Sequence, residues 1–148
     1  MTLKVDKMNE APNNLIAAVR LATGRELNLD CFADLLIIQK GCYILNAWGY
    51  GPHINYSQFF KGPFSLELAD FCETVKTIDN TTDVPTEGIN RLSKVISKGD
   101  DYLEAYATVL MIIVDNPNIT KENVIRHSLS IKPNLSDEII EVSESLLA

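Results

Sequence analysis

Residues 59–68 of the chain read Phe59-Phe60-Lys61-Gly62-Pro63-Phe64-Ser65-Leu66-Glu67-Leu68, and the rest of the sequence is organised around them. The two aromatic residues at the start suit a strand. Gly62 and Pro63 then predict a tight turn, because glycine accepts a positive φ and proline fixes its own φ. Ser65 is placed to cap a helix that carries Glu67 in its first turn. The stretch is either a structural corner or the edge of a binding groove.

Length and composition are typical of an ordinary globular protein. The chain has 148 residues, of which 46% are hydrophobic and 22% charged, and no apolar run approaches the roughly 18 residues of a membrane span. Its net charge of -7 disfavours the phosphate neutralisation on which non-specific nucleic-acid binding depends. An odd cysteine count, Cys31, Cys42 and Cys72, favours reduced thiols. We expect a single domain over residues 1–148 with no secretory signal, no membrane partner and a cytoplasmic location.

Apolar periodicity predicts a multi-helix bundle. Residues 1–10 are polar and lack a period, which predicts a loose N-terminal arm. Pro12 suits the first turn of a helix that Gly24 ends. The segments 30–46 and 102–114 are apolar nearly all round, so both are predicted to be buried core helices.

The C-terminal third contains a short repeat. Residues 117–124 and 133–140 match in residue type at nearly every position, and each copy offers an N-cap, Thr120 or Ser136. Two short helices are therefore predicted after the second core helix, which gives residues 116–148 a helix-turn-helix-like geometry. The predicted fold class is mainly α (α+β): a multi-helix bundle with a small β-hairpin or short sheet and a tri-helical C-terminal part.

No motif for catalysis, metal binding or cofactor binding stands out. The candidate metal ligands are His53, His127 and the cysteines, and no two of them fall at a ligand spacing. Neither a G-x-S-x-G elbow nor a phosphate-binding glycine loop occurs. Carboxylate pairs such as Glu67 and Asp70 are typical of a solvated helix face. We expect a non-enzymatic protein without a cofactor, since an unrecognised active site would need a deep polar pocket with a strongly perturbed titratable group.

A basic edge on the helix from Thr120 supports an alternative function, a nucleic-acid-binding regulator. The edge comprises Lys121, Arg126, His127 and Lys132, on what would be the second helix of a helix-turn-helix. The predicted final helix places acids beside it, namely Asp137, Glu138, Glu141 and Glu144. Nucleic acid is therefore not the expected partner, and the alternative requires the four basic residues to form one exposed face.

A protein partner is the leading expectation. Aromatic residues surround the 59–68 stretch, and they either cover the core or anchor an interface. The predicted partner-binding groove is lined by Gln39, Lys40, Tyr43, Tyr56, Gly62, Pro63 and Ser65. Lys40 and Tyr43 are three residues apart on one helical flank, where they would present a charge and a hydroxyl to the same partner. Gln39 lies on the inner face of an apolar helix and needs hydrogen-bond partners there.

Two motifs carry a resemblance to a known family. Residues 38–45, Ile38-Gln39-Lys40-Gly41-Cys42-Tyr43-Ile44-Leu45, resemble the LQK-x-x-Y-x-L helix of the uncharacterised YwgA-like proteins, and residues 60–68 resemble their YGPYS-x-EL turn, with Lys61 at a usual Tyr position. The C-terminal helices are also similar to theirs. More distantly, the chain resembles the Panacea group, phage-associated proteins that include toxin-neutralising antitoxins. The resemblance implies a helical domain with a small β element, no known catalytic residues, and an antitoxin-like role in binding a partner protein such as a toxin.

Overall fold

The computed structural model of the chain describes residues 2–59, 62–75 and 77–147. These residues form seven α-helices, one short 3-10 helix and one two-stranded sheet. The elements in chain order are α1 (Thr2–Thr23), α2 (Phe32–Ala47), β1 (Ser57–Phe59), β2 (Gly62–Phe64), α3 (Leu66–Thr74), α4 (Thr86–Ile96), α5 (Asp100–Asp115), α6 (Lys121–Ile131), the 3-10 helix (Pro133–Leu135) and α7 (Ser136–Leu146). The predicted fold class, a mainly helical bundle with a small β element, is confirmed.

The two helices predicted to be central are the core of the bundle. Residues 38–45 of α2 are all buried, and so are residues 102–112 of α5 apart from Glu104. α2 packs against α1, α3, α4, α5 and β2, and α5 packs against α2, α4, α6, α7 and β2. Each of these helices is surrounded by other elements on most sides. Its apolar residues are therefore buried on all of these sides, as the sequence pattern predicted.

α1 includes most of the segment predicted to be a loose arm. The prediction for residues 1–10 is wrong for residues 2–10, which are helical; residue 1 lies outside the described residues. Good helix formers, leucine, lysine, methionine and glutamate, make up most of this segment. Pro12 lies inside the helix, where it removes its own amide donor without ending the helix. Gly41 lets α1 approach α2, because a Cβ at that position would lie 2.8 Å from a methyl carbon of Val19.

The small sheet is a hairpin that contains Gly62 and Pro63. β1 and β2 pair antiparallel, with Ser57 opposite Phe64 and Phe59 opposite Gly62. The prediction that Gly62 and Pro63 form the tight turn is therefore wrong, since both lie in β2. Residues 60 and 61, which separate the two strands in the sequence, lie outside the described residues. The glycine still marks special backbone, because Gly62 has a φ of 111°.

A pair of hydrogen bonds holds the start of α3 against α2. The Gln39 Nε2 donates to the Ser65 carbonyl oxygen at 2.9 Å, and the Ser65 N–H donates to Gln39 Oε1 at 2.7 Å. The Ser65 hydroxyl accepts from the Leu68 N–H at 3.2 Å, which confirms the predicted N-cap. Gln39 is 7% exposed and Ser65 0% exposed, so water cannot replace these partners.

The C-terminal part is tri-helical, as predicted. α5, α6 and α7 pack against one another in all three pairs. Thr120 caps α6, with its hydroxyl accepting from the Asn123 N–H at 3.1 Å. Ser136 is not an N-cap: its φ of -55° and ψ of -50° are helical, and no side-chain cap precedes α7. The reason is Pro133, which starts a 3-10 turn that runs directly into α7.

We predict that Gln39→Leu lowers the free energy of unfolding by about 1–3 kcal/mol, because it leaves the buried Ser65 N–H unpaired, whereas the Ser65 carbonyl oxygen still accepts from the Ala69 N–H at 3.1 Å. Urea denaturation monitored by circular dichroism measures this loss. Asn90→Leu is the matched control, since Asn90 is an exposed amide on α4 and its replacement should change stability by less than about 0.5 kcal/mol. Equal stability of the two variants would contradict the role given to this pair of hydrogen bonds.

Candidate protein-binding groove

A groove of about 590 Å³ lies between α2, β2 and α3. Its walls come from the first half of α2, all of β2, one side of α3 and the loop before α2. The lining residues are Leu29, Asp30, Phe32, Leu35, Leu36, Ile38, Gln39, Lys40, Gly62, Pro63, Phe64, Ala69, Cys72 and Glu73. Most of these are apolar, so the groove offers a hydrophobic surface with a few polar groups at defined positions.

The apolar residues at the mouth are open to solvent. Phe32, at the start of α2, lines the groove and is 64% exposed. Residues 34–37 of α2 are half-buried, in contrast to the buried residues 38–45. A large apolar side chain that is exposed in the lining of a concave surface is typical of sites that bind another molecule.

Two exposed carboxylates line the groove. Asp30 lies in the loop before α2, and Glu73 lies on α3. Lys40 is in the same lining, but it is only 8% exposed. Glu67 and Asp70 are exposed elsewhere on α3 and do not line the groove. The groove is therefore apolar inside, and its solvent-exposed charges are acidic.

Four of the seven residues predicted to line a partner-binding groove lie in its wall: Gln39, Lys40, Gly62 and Pro63. Ser65 lies behind the wall, where it holds Gln39. Tyr43 and Tyr56 do not line the groove; their rings pack edge to face with centroids 5.1 Å apart. The structure therefore brings four of the seven residues together in one groove and places the two tyrosines away from it.

The prediction that Lys40 and Tyr43 present a charge and a hydroxyl to a partner is wrong. Lys40 is 8% exposed and Tyr43 is 7% exposed, because both lie in the buried second half of α2. Tyr56 is half-buried, and its hydroxyl has no hydrogen-bond partner among the described residues. These tyrosines belong to the core that supports the groove.

Sequence reasoning missed the exposed start of α2. Phe32, Leu35 and Leu36 were predicted to be covered, because the whole 30–46 segment is apolar. In the structure, β2 and α3 pack against the later turns of this helix and leave a groove beside the first ones. The sequence pattern carries no signal for this difference, because the exposure depends on where β2 and α3 pack.

The predicted basic edge does not form one exposed face. Lys121, Arg126 and His127 are exposed on α6, whereas Lys132 is 7% exposed. The Lys132 ammonium donates to a carboxylate oxygen of Glu104 on α5. Burying a lysine requires such a partner, so one cation of the four serves the packing of α5 against the end of α6.

Metal and thiol chemistry find little support in the described residues. Among them, no group of three or more His, Cys, Asp or Glu side chains is close enough to hold a metal ion. The described cysteines are free thiols. Burial raises the pKa of Cys72, which lines the groove, to about 11, and burial and then Cys72 raise the pKa of Cys42. Both thiols stay protonated near neutral pH, which makes them poor nucleophiles.

Comparison with known proteins adds no relative from which a site could be transferred. No protein-family model, no curated protein and no solved structure matches the chain. Within the part of the chain that the structure describes, no helix combines the length and the apolar character needed to cross a bilayer. The function is therefore argued from the groove itself.

We predict that the core tyrosines make stability fall at high pH. Burial, and secondarily Asp115, raise the pKa of Tyr43 to about 12; burial also raises the pKa of Tyr56. Tyrosine has a pKa of about 10 in the unfolded chain, so the folded state keeps a proton that the unfolded state releases. The stabilisation is complete below about pH 10 and is lost as the pH rises towards about 12.

Urea denaturation across this range measures the effect, and Tyr43→Phe should reduce the slope of the unfolding free energy against pH. Tyr50→Phe is the control, because the Tyr50 hydroxyl lies outside the core and donates to Glu87 at 2.9 Å. A slope unchanged by Tyr43→Phe would contradict the prediction.

Proposed function

We propose that the chain is a non-enzymatic protein-interaction module that binds an amphipathic helix of a partner protein in the groove between α2, β2 and α3. The observation that carries the proposal is the groove itself, which has about 590 Å³ of space and a mostly apolar lining. Exposed Phe32 at its mouth would become buried in a complex. Burial of such a side chain supplies about 1.5–3 kcal/mol, which makes it an anchor for binding.

A helical occupant fits the groove better than an added strand does. β1 and β2 are only three residues long each. Pro63 at the centre of β2 has no N–H to donate to a further strand. A helix needs no backbone hydrogen bonds from its partner, because its own are satisfied internally, and it places apolar residues from successive turns into a groove.

The rim of the groove favours basic residues on the polar side of that helix. Asp30 and Glu73 are exposed carboxylates in the lining of the groove, and Glu67 and Asp70 are exposed elsewhere on α3. Lys40 adds one positive charge, but it is 8% exposed within the wall. The chain as a whole carries a net charge of -7. Attraction between this surface and a basic partner would speed association and suppress acidic competitors.

An antitoxin-like role accords with this arrangement, and we extend the proposal to a toxin as the partner. The supporting observation is the resemblance of residues 38–45 and 60–68 to the YwgA-like and Panacea motifs, since both segments contribute to the groove wall. An antitoxin can act by covering a toxin's functional surface, for which the groove needs no catalytic group. The cytoplasm is the compartment in which such a pair would meet. The nucleic-acid alternative has less support, because it requires one exposed face of four basic residues and Lys132 is buried against Glu104.

A designed peptide tests the groove directly. We predict that a labelled helical peptide with leucine on one face and lysine on the other binds the protein, with an affinity that falls as salt is added. The same peptide with glutamate in place of lysine should bind at least about tenfold more weakly, because its carboxylates would face the acidic side chains of the groove. Fluorescence anisotropy measures both affinities. Equal binding of the two peptides would contradict the proposed charge preference.

A pair of variants locates the binding surface. Phe32→Ser should weaken binding of the leucine–lysine peptide by about tenfold or more, because an exposed apolar anchor is lost without a change of charge. Leu21→Ser is the matched control, since Leu21 is 55% exposed on α1 and does not line the groove. Tagged protein and both variants would then be compared in affinity capture from nuclease-treated lysate. If the Phe32→Ser variant captures the same partner protein as efficiently as the Leu21→Ser variant does, the partner does not bind in this groove.

A further inference from the structure

A second pocket, of about 280 Å³, lies on another part of the surface and has a different chemistry. Its lining combines aromatic rings with cations: Trp48, Arg91, Lys94, Val95, Lys98, Tyr102, Tyr106 and Ser145. Trp48 caps the C-terminus of α2, and Tyr102 and Tyr106 come from the first turns of α5. The three cations come from α4 and the residues just after it. None of these residues takes part in the groove described above.

The cations stand together in a chain whose net charge is -7. Arg91 and Lys94 are three residues apart on one face of α4, and Lys98 lies in the turn just after that helix. The ion pairs of the described residues include Lys98, whose Nζ lies 2.8 Å from Glu141 Oε2, but neither Arg91 nor Lys94. Two positive charges that line this pocket are therefore not neutralised by a carboxylate of the described chain.

The aromatic residues fix the positions of two of these cations. The Arg91 guanidinium carbon lies 4.0 Å from the centre of the Trp48 ring, and Arg91 also approaches the Tyr50 hydroxyl at 3.5 Å. The Lys98 Nζ lies 4.8 Å from the centre of the Tyr102 ring. A cation held over an aromatic face loses less side-chain freedom when it binds an anion. Both groups keep unused N–H donors, since guanidinium has five and ammonium three.

We propose that this pocket binds the phosphate group of a phosphate monoester. A guanidinium matches two oxygens of a phosphate at once, and a lysine adds a point charge. Near neutral pH a phosphate monoester carries close to two negative charges, which balance the two cations that lack a carboxylate partner. Arg91 and Lys94 would make the direct contacts, and Lys98 would add a donor while it stays paired with Glu141.

The surroundings restrict the ligand to a single phosphate. The adjoining pocket shares Lys98 and Tyr102 and is otherwise rich in acids: Asp100, Asp101, Glu138 and Glu141. At the other end, Glu87 accepts the Tyr50 hydroxyl proton at 2.9 Å. A polyanion such as a nucleic acid would extend to these carboxylates on both sides and be repelled by them. A single phosphate group fits inside the pocket, whose lining among the described residues contains no carboxylate.

The tryptophan makes the test direct, because Trp48 is the single tryptophan of the chain. Its fluorescence would be titrated with inorganic phosphate and with adenosine monophosphate, at constant ionic strength set with sodium chloride, and calorimetry would provide a second measurement. The expected result is saturable binding of at least one of the two. Equal affinity for the two ligands would indicate that the protein recognises the phosphate group alone. Tighter binding of adenosine monophosphate would indicate that its nucleoside also contacts the protein.

Variants assign the binding to this pocket. Arg91→Gln and Lys94→Gln should each weaken phosphate binding by about tenfold or more, since each removes a charge-assisted hydrogen bond. Lys94 is exposed on α4, so its replacement leaves the fold intact even if Arg91→Gln disturbs the Trp48 contact. Arg126→Gln, an exposed site on α6 outside the pocket, makes the same change in net charge and should bind as the unaltered protein does. No binding in either measurement, or equal losses in the Arg126 and Lys94 variants, would overturn the proposal.

Discussion

The exchange of two hydrogen bonds between the Gln39 side chain and the backbone of Ser65 is the constraint on which the groove depends. It joins the middle of α2, one of the two core helices, to the N-cap residue of α3, at donor–acceptor distances of 2.9 and 2.7 Å. A primary amide has one donor end and one acceptor end, so it can satisfy both backbone groups of one residue. Because β2 ends next to Ser65, the same contact sets where two walls of the groove stand relative to α2.

Amide side chains also hold the other irregular segments of the chain. Asn46 donates to the carbonyl oxygens of Tyr50 and Pro52 at 3.0 and 2.9 Å and accepts from the Ile54 N–H at 2.9 Å. Asn14 accepts from the Asp83 N–H at 2.8 Å and thereby joins α1 to the loop before α4. Loops against a core need such partners, since their backbone groups have no neighbouring strand or helical turn to pair with. A few amides therefore order the connections of this helical fold.

The sequence reveals which residues need partners more readily than it reveals the partners. Gln39 stands out as an amide in an apolar helix and Ser65 as a cap, yet nothing in their spacing of 26 residues shows that they meet. Lys132 is a second example. Its sequence neighbours predict an exposed charge, and only the fold brings Glu104 of α5 beside it. Periodicity predicted that α2 is central, but the exposure of Phe32 depends on where β2 and α3 stop covering that helix. Such facts depend on tertiary distance, which local patterns do not contain.

The two proposed sites lie towards opposite ends of α2, and the buried residues between them decide whether they communicate. Phe32 at the first turn faces the groove, while Trp48 at the C-cap faces the cationic pocket. Residues 38–45 are buried, and Gln39 joins them to α3, so any second arrangement of the helix would have to break close packing and two buried hydrogen bonds. Coupling requires a difference in affinity between two states of the protein. Because such a rearrangement is costly, we expect occupation of the pocket to leave affinity at the groove unchanged, apart from the electrostatic effect of the bound anion, which salt screens.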